Sequence, residues 1–283
     1  MSYLKRFVLG SAQFSGTYGI SNNKKLSFQE VNEIIKYSFE KGIRDIEVCS
    51  SYGESQFKII QVIKKKNLKK KINTIYKISK IHKNTFKLYN TLKKISNLKA
   101  IFSHSSNFYF SKKFQNFIKN LDKRKIKIGV SIYEVSEIEI LLNSKVKPNI
   151  IQVPYNIFNQ KFDQKILLRK LKKHKVQIQV RSIFNQGLIF LSNQDIKSKF
   201  PKNFKFLIKF KKKLKKFNEN LFNISIKLPL SKSYFKKILI GVTCLKHIDD
   251  ISNIKSNKIN KVLINQIHNL KFNNSNISDP RKW

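Results

Sequence analysis

Cysteine is scarce in this chain of 283 residues, with only Cys49 and Cys244. Two cysteines cannot form the disulfide framework of a small secreted domain, and they lack the Cys/His spacing of a zinc site. Apolar runs are also short. Before Gln13 the longest covers residues 7–9, too short for a secretion signal, and no stretch approaches the roughly 18 apolar residues of a membrane span. We therefore expect a cytoplasmic protein without a metal site or a membrane span.

Acidic residues are few: 16 Asp and Glu stand against 59 Lys and Arg, for a formal net charge of +43. Such a balance is typical of proteins that bind nucleic acid or an anionic surface. The excess is nearly all lysine, however, and it accompanies abundant Asn, Ile and Phe, whereas alanine occurs only at Ala12 and Ala100. Lys, Asn, Ile and Phe have AT-rich codons. Genome composition therefore explains the charge, and we do not expect nucleic acid to be the partner.

Glycine and proline are scarce as well, and no Gly- or Pro-rich segment divides the chain. Short runs of mostly apolar, β-branched residues recur instead, as expected of strands buried on both faces of a parallel sheet. The predicted strands cover residues 7–9, 43–48, 72–78, 98–102, 126–131, 150–153, 176–180 and 238–242.

Helical patterns lie between these strands. Ser27 and Glu30 have the spacing of a capping box, and apolar residues follow at helical intervals until Gly42. Other apolar stripes begin at Phe57 and at Ile166, and the longest pattern, rich in Lys and Phe, covers residues 204–222. Each stripe is expected to face the core of the protein.

Eight alternations of strand and helix favour one closed (β/α)8 barrel that forms a single domain over residues 1–283. A doubly wound open sheet is the alternative. No Gly-rich dinucleotide fingerprint follows the first strand, however, which counts against that alternative.

Function in such barrels gathers at the C-terminal ends of the strands. The side chains expected there are, in strand order, Gly10, Ser11 and Gln13; Glu47 and Tyr52; Lys77; His104; Ser131; Gln152, Tyr155 and Asn156; Arg181 and Ser182; Gly241 and Thr243. Each alone has an ordinary structural explanation. A carboxylate, a phenol, an ammonium and an imidazole at consecutive strand ends nevertheless indicate proton chemistry.

Several motifs carry a family resemblance. The chain opens with Leu9-Gly10-Ser11-Ala12-Gln13-Phe14 and Tyr18-Gly19-Ile20-Ser21-Asn22. Residues 42–53 are similar to G-I-x-x-I-D-T-A-x-x-Y-G, Tyr76-Lys77-Ile78 to T-K-V, and Ser103-His104 to L-H. The end, Asp279-Pro280-Arg281-Lys282-Trp283, is similar to P-x-x-W. In this order, the motifs resemble the aldo/keto reductase family and its bacterial branch.

The resemblance implies a (β/α)8 barrel that uses NADPH or NADH to interconvert a small carbonyl compound and its alcohol. It implies that Tyr52 is the general acid and that Lys77 lowers the pKa of this phenol, which is about 10 in free tyrosine. The carboxylate of Glu47 is implied to hold Lys77. His104 is implied to orient the carbonyl or to relay the proton.

The resemblance also implies a cofactor site. Ser131 and Gln152 are implied to hold the nicotinamide carboxamide, and the other implied cofactor-binding residues are Gly10, Ser11, Arg181, Ser182, Gly241, Thr243 and His247. Several positions depart from the family pattern. Glu47 replaces an aspartate, Arg181 a ring, and His247 an arginine. Val48 and Cys49 replace Thr-Ala, and Ile132 and Ile251 each replace an asparagine. The preference for NADPH or NADH is left open, although Lys246 and His247 offer positive charge.

Two alternatives remain beside a working reductase. The extra methylene of Glu47 displaces a catalytic carboxylate, so the barrel is alternatively an impaired relative that serves as a binding or scaffold protein. A basic nucleic-acid-associated protein is the third interpretation, and it requires the lysines to cluster on one face.

Overall fold

The computed structural model describes residues 3–16, 18–21, 24–65, 67–122, 124–254, 258–269 and 275–283. Met1 and Asn22, which belong to segments discussed above, lie outside the described residues. None of the helices in these ranges has the length and apolar character needed to cross a membrane.

Eight parallel strands form a closed barrel in which each strand pairs with the next and the eighth pairs with the first. They are β1 (Phe7–Gly10), β2 (Asp45–Cys49), β3 (Asn73–Ile78), β4 (Asn97–Ser103), β5 (Lys127–Ser131), β6 (Ile150–Pro154), β7 (Gln177–Arg181) and β8 (Phe235–Gly241). The predicted (β/α)8 fold and all eight predicted strands are confirmed, with β8 beginning earlier than expected.

The first and last strands close the barrel in register. Phe7 lies opposite Ile238, and Gly10 lies opposite Gly241, so that two glycines adjoin at the C-terminal end of the closing seam. Below them the barrel interior is filled by a small apolar cluster that includes Val8, Ile75, Ala100 and Phe102. This packed interior forms the floor of the space at the C-terminal ends of the strands.

Helices surround the barrel. They are α1 (Phe28–Glu40), α2 (Ser55–Lys64), α3 (Lys83–Ile95), α4 (Ser106–Tyr109), α5 (Lys112–Lys119), α6 (Ser136–Leu142), α7 (Lys165–Lys173), α8 (Asn193–Lys199), α9 (Pro201–Lys215), α10 (Leu221–Leu230), α11 (Leu245–Ser252), α12 (Lys261–His268) and α13 (Ser275–Ser278). The predicted capping box is confirmed, because the Ser27 hydroxyl accepts a hydrogen bond from the Glu30 amide and the Glu30 carboxylate accepts one from the Ser27 amide.

Residues 204–222 do not form one helix, contrary to the continuous pattern. The helix α9 ends at Lys215, Asn218 adopts a left-handed backbone with φ of 54°, and the Asn220 side chain caps α10. Asparagine tolerates this conformation and caps helices well, which explains the break.

Two residues assigned to apolar stripes face away from the core. Phe57 is 58% exposed and Ile166 is 80% exposed. Each of the two helices buries other apolar residues: Ile59, Val62 and Ile63 in α2, and Leu167 and Leu171 in α7. Those residues already fill the narrow stripe that each helix presents to the barrel.

Candidate active site

A cavity of about 540 Å³ opens at the C-terminal ends of the strands. Its walls come chiefly from the segments that follow β1, β2, β7 and β8. Most of the site residues predicted from the sequence line it: Gly10, Ser11, Glu47, Tyr52, Lys77, Arg181, Ser182, Gly241, Thr243 and His247. The volume is in the range of sites that bind cofactors and small substrates.

Glu47, Lys77 and Gln152 form a buried network at the base of this cavity. The Lys77 ammonium donates to Glu47 Oε1 over 2.8 Å and also donates to Gln152 Oε1. The Gln152 amide donates in turn to Glu47 Oε2 over 2.6 Å. Both oxygens of the carboxylate therefore accept a hydrogen bond inside the protein, as a buried charge requires.

Tyr52 follows β2 in a loop, and its ring centroid lies 6.4 Å from that of Tyr18. Burial raises the pKa of Tyr52 well above its ordinary value, and Cys49 and the Glu47 carboxylate act in the same direction. This net direction is opposite to the one expected from a lysine beside the phenol. Tyr52 is therefore protonated at neutral pH.

His104 follows β4 and is not among the residues that line the cavity. Burial is the main cause that lowers the pKa of His104 to about 4, and the charge of Lys77 acts in the same direction. The imidazole is accordingly neutral at pH 7. It lies near enough to Lys77, Glu47 and Arg181 for their charges to affect it.

Arg181 ends β7 and is 8% exposed. Its guanidinium donates to Ser131 Oγ over 3.2 Å, to Ser182 Oγ over 3.3 Å and to the Ile132 carbonyl over 3.3 Å. Its central carbon lies 4.1 Å from the ring centroid of Tyr133. Ser131 thus contacts the cavity indirectly, through this arginine.

The loop after β1 meets the segment after β7 at the cavity mouth. The Ile20 amide donates to the Gln186 carbonyl over 2.9 Å. Close approach requires glycine here, because a Cβ on Gly19, which has φ of 91°, would overlap the Gln186 carbonyl. Ser182 and Gln186 also have positive φ, which stores backbone strain beside the cavity, whereas Asn185 between them has a side chain that tolerates this conformation.

Tyr18 is a second phenol in the cavity, and the sequence did not single it out as a site residue. Burial raises the pKa of Tyr18, while the nearby charge of Arg181 and a hydrogen bond with Ser182 oppose that rise. Its neighbour Gly19 was the available signal, because glycine marks a turn in the loop that follows β1.

On the β8 side, His247 is fixed by a hydrogen bond and a ring contact. The Thr243 amide donates to His247 Nδ1 over 3.3 Å, and the imidazole stacks on Phe190 with centroids 5.9 Å apart. Burial lowers the pKa of His247, so this ring is uncharged at neutral pH. The adjacent Lys246 pairs with Asp250 over 2.8 Å.

Comparison with known protein families identifies the family of this chain. The sequence profile of the aldo/keto reductase family matches residues 6–271 of the chain. The chain belongs to the aldo/keto reductase family. Membership supports an oxidoreductase that acts on carbonyl compounds and uses a nicotinamide cofactor, at the level of the family. No curated protein matches the chain in sequence.

Solved aldo-keto reductases share the fold of this family member. One from a Medee basin deep-sea metagenome library is 16% identical, with a TM-score of 0.61, and the match covers 93% of this chain and 90% of that one. An aldo/keto reductase from Brucella melitensis is 18% identical, with a TM-score of 0.61 and 92% of each chain covered. At sequence identities this low, the structural similarity is evidence for the fold alone.

The cavity fits a nicotinamide dinucleotide in one testable respect. The Ser11 hydroxyl is buried in the cavity wall and has no hydrogen-bond partner among the described residues. A buried hydroxyl of this kind normally has a partner, so Ser11 is suited to bind a polar ligand. Nearby, Gly241 also lines the cavity, and a Cβ there would overlap the Gln13 side chain, so the glycine makes room for that amide.

Proposed function

We propose that this aldo/keto reductase reduces a small carbonyl compound to the alcohol with NADPH or NADH. The observation that carries the proposal is the placement of Tyr52 and the Glu47–Lys77 ion pair on one cavity at the C-terminal ends of β2 and β3. A proton donor and a fixed charge pair beside a ligand-sized space are what carbonyl reduction needs from the protein.

Tyr52 is the proposed proton donor to the carbonyl oxygen. Because burial raises its pKa well above the ordinary value, the phenol carries at neutral pH the proton that reduction of a carbonyl consumes. Neutral His104 is proposed to orient the carbonyl or to relay the proton, and Glu47 and Gln152 fix the position of Lys77. A bound nicotinamide dinucleotide supplies the hydride.

The proposed cofactor-binding residues divide into two groups. Gly10, Ser11, Arg181, Ser182, Gly241, Thr243 and His247 are proposed to contact the cofactor from the cavity wall. Ser131 and Gln152 are proposed to support it from behind, because their side chains already bind Arg181 and the Glu47–Lys77 pair.

One observation favours the second candidate, a barrel that binds ligand without efficient turnover. The ammonium of Lys77 is committed to Glu47 and Gln152, and the pKa of Tyr52 is raised by burial. A phenol that holds its proton this strongly is a weak acid, which slows proton transfer.

The two candidates are separated by titrating NADPH and NADH into the purified protein and following cofactor oxidation with a panel of aldehydes. The reductase predicts saturable cofactor binding and turnover that Tyr52→Phe largely removes. Cofactor binding without turnover identifies the impaired barrel. Absence of cofactor binding would reject both.

A further inference from the structure

The charges that line the cavity do not balance. Two carboxylates lie there, and each is paired with a lysine: Lys24 with Glu30 over 2.6 Å, and Lys77 with Glu47 over 2.8 Å. Arg181 lines the same cavity and forms no ion pair with any carboxylate of the described residues. The cavity therefore carries one cation in excess, and that cation is almost completely buried.

The hydrogen bonds of Arg181 also leave capacity for a ligand. A guanidinium has five N–H donors. Three are used by neutral acceptors, namely the hydroxyls of Ser131 and Ser182 and the Ile132 carbonyl. Two donors remain on a side chain that borders the cavity. A buried cation is costly without a counter-charge, and a guanidinium binds carboxylate and phosphate oxygens best.

The guanidinium is also held in place before any ligand arrives. The ring of Tyr133 lies 4.1 Å from the guanidinium carbon of Arg181 and equally close to that of Arg281. Arg281 is in turn anchored by Glu134 over 2.6 Å. A cation fixed by a ring and three hydrogen bonds loses little conformational entropy on binding an anion.

We propose that Arg181 makes this cavity selective for carbonyl substrates that carry an acidic group, a carboxylate or a phosphate. The proposal rests on the proposed reductase function and names its substrate class. Arg181 lines the same cavity as Tyr52 and Lys77, so a substrate whose carbonyl reaches Tyr52 occupies the space that Arg181 borders. The proposal assigns the anion to this substrate.

The test compares matched substrate pairs at a constant ionic strength of about 0.15 M, at which salt screens much of the general positive charge of the protein. One pair is a short aldehyde with a terminal carboxylate and its methyl ester; the other is glyceraldehyde 3-phosphate and glyceraldehyde. The wild type is expected to prefer the anionic member of each pair in kcat/KM. Arg181→Gln is expected to reduce that preference about 10- to 100-fold, and Arg181→Lys is expected to restore part of it.

Arg169→Gln is the matched control, because it removes the same charge from an exposed position on α7. It is expected to leave the preference unchanged. The proposal is overturned if the wild type treats both members of a pair alike, or if Arg181→Gln and Arg169→Gln give the same preference.

A binding measurement keeps the two hypotheses distinguishable. If no carbonyl is reduced, the proposed function fails, and calorimetric titration of the wild type with oxalate and with inorganic phosphate decides the role of Arg181. Saturable binding that Arg181→Gln weakens at least tenfold supports an anion site. No binding to the wild type overturns it, and this result needs no variant to fold.

Discussion

Glu47 and Lys77 form an ion pair of 2.8 Å that is almost entirely removed from solvent, with side-chain exposures of 0% and 2%. The carboxylate is shared, because Gln152 donates to its second oxygen. From its own position on β2, the Glu47 carboxylate thus bridges Lys77 on β3 and Gln152 on β6.

Glu47→Gln is expected to lower the free energy of unfolding by about 3 kcal/mol, because it leaves the buried Lys77 ammonium without a counter-charge. Glu139→Gln makes the same chemical change in an exposed pair with Lys170, and it is expected to cost less than about 1 kcal/mol. Urea denaturation of both variants measures the difference. Equal losses would mean that burial of the Glu47 pair contributes nothing to stability.

Tyr52→Phe is expected to reduce kcat for carbonyl reduction by about 100-fold or more, because it removes the proposed acid while leaving the ring in place. Tyr18→Phe is the control from the same cavity and is expected to lose less than about tenfold. Steady-state kinetics with a saturating aldehyde measures both. A wild-type rate in Tyr52→Phe, or a larger loss in Tyr18→Phe, would assign the proton donor to another group.

His104 is expected to make the protein less stable as the pH falls from about 6.5 to about 4. Its pKa in the folded protein is about 4, whereas an unfolded histidine has a pKa of about 6.5. Between these values the unfolded chain binds a proton that the folded protein does not, so the free energy of unfolding decreases as the pH decreases. Denaturation at pH 7 and pH 5 measures the slope.

The His104→Gln variant isolates this contribution, because burial also lowers the pKa of His247 and of His268. The variant is expected to lose less stability than the wild type between pH 7 and pH 5. An unchanged slope would show that His104 is not the buried neutral base.

Preference between NADPH and NADH is expected to be small, because the positive groups near the end of β8 are not freely available. His247 is neutral, and Lys246 is paired with Asp250 in one turn of α11. Asp250→Asn releases this lysine and is expected to raise the affinity for NADPH relative to NADH by about threefold. Fluorescence titration with the two cofactors measures the ratio, with Asp250→Asn/Lys246→Gln as the control.

The barrel could be predicted because the sequence of each strand identifies it without reference to the rest of the chain. Runs such as residues 126–131 and 150–153 are rich in β-branched apolar residues, and the Ser27–Glu30 capping box marks a helix start. The break in the pattern at residues 216–220 could not be seen in this way. It depends on the backbone of Asn218 and on the cap formed by Asn220, which helical periodicity does not record.

The site was predictable as a set of positions but not as a set of contacts. Order along a closed barrel brings strand ends together, which is enough to place Glu47, Lys77 and Arg181 on one cavity. Which groups bind one another depends on side-chain length and barrel width. For this reason the sequence could not predict the hydrogen bond from Gln152 to Glu47 or the one from Arg181 to Ser131.

Closure of the barrel by β1 and β8 has a kinetic consequence. The residues of this seam, such as Phe7 and Ile238, are separated by nearly the whole chain. During synthesis β1 forms long before β8, its partner in the closed barrel. Until β8 is made, one edge of β1 stays unpaired and can pair with other chains. We expect the seam to form late in folding and to depend on the intermediate strands, so that Gly10 and Gly241 adjoin only once the barrel is otherwise complete.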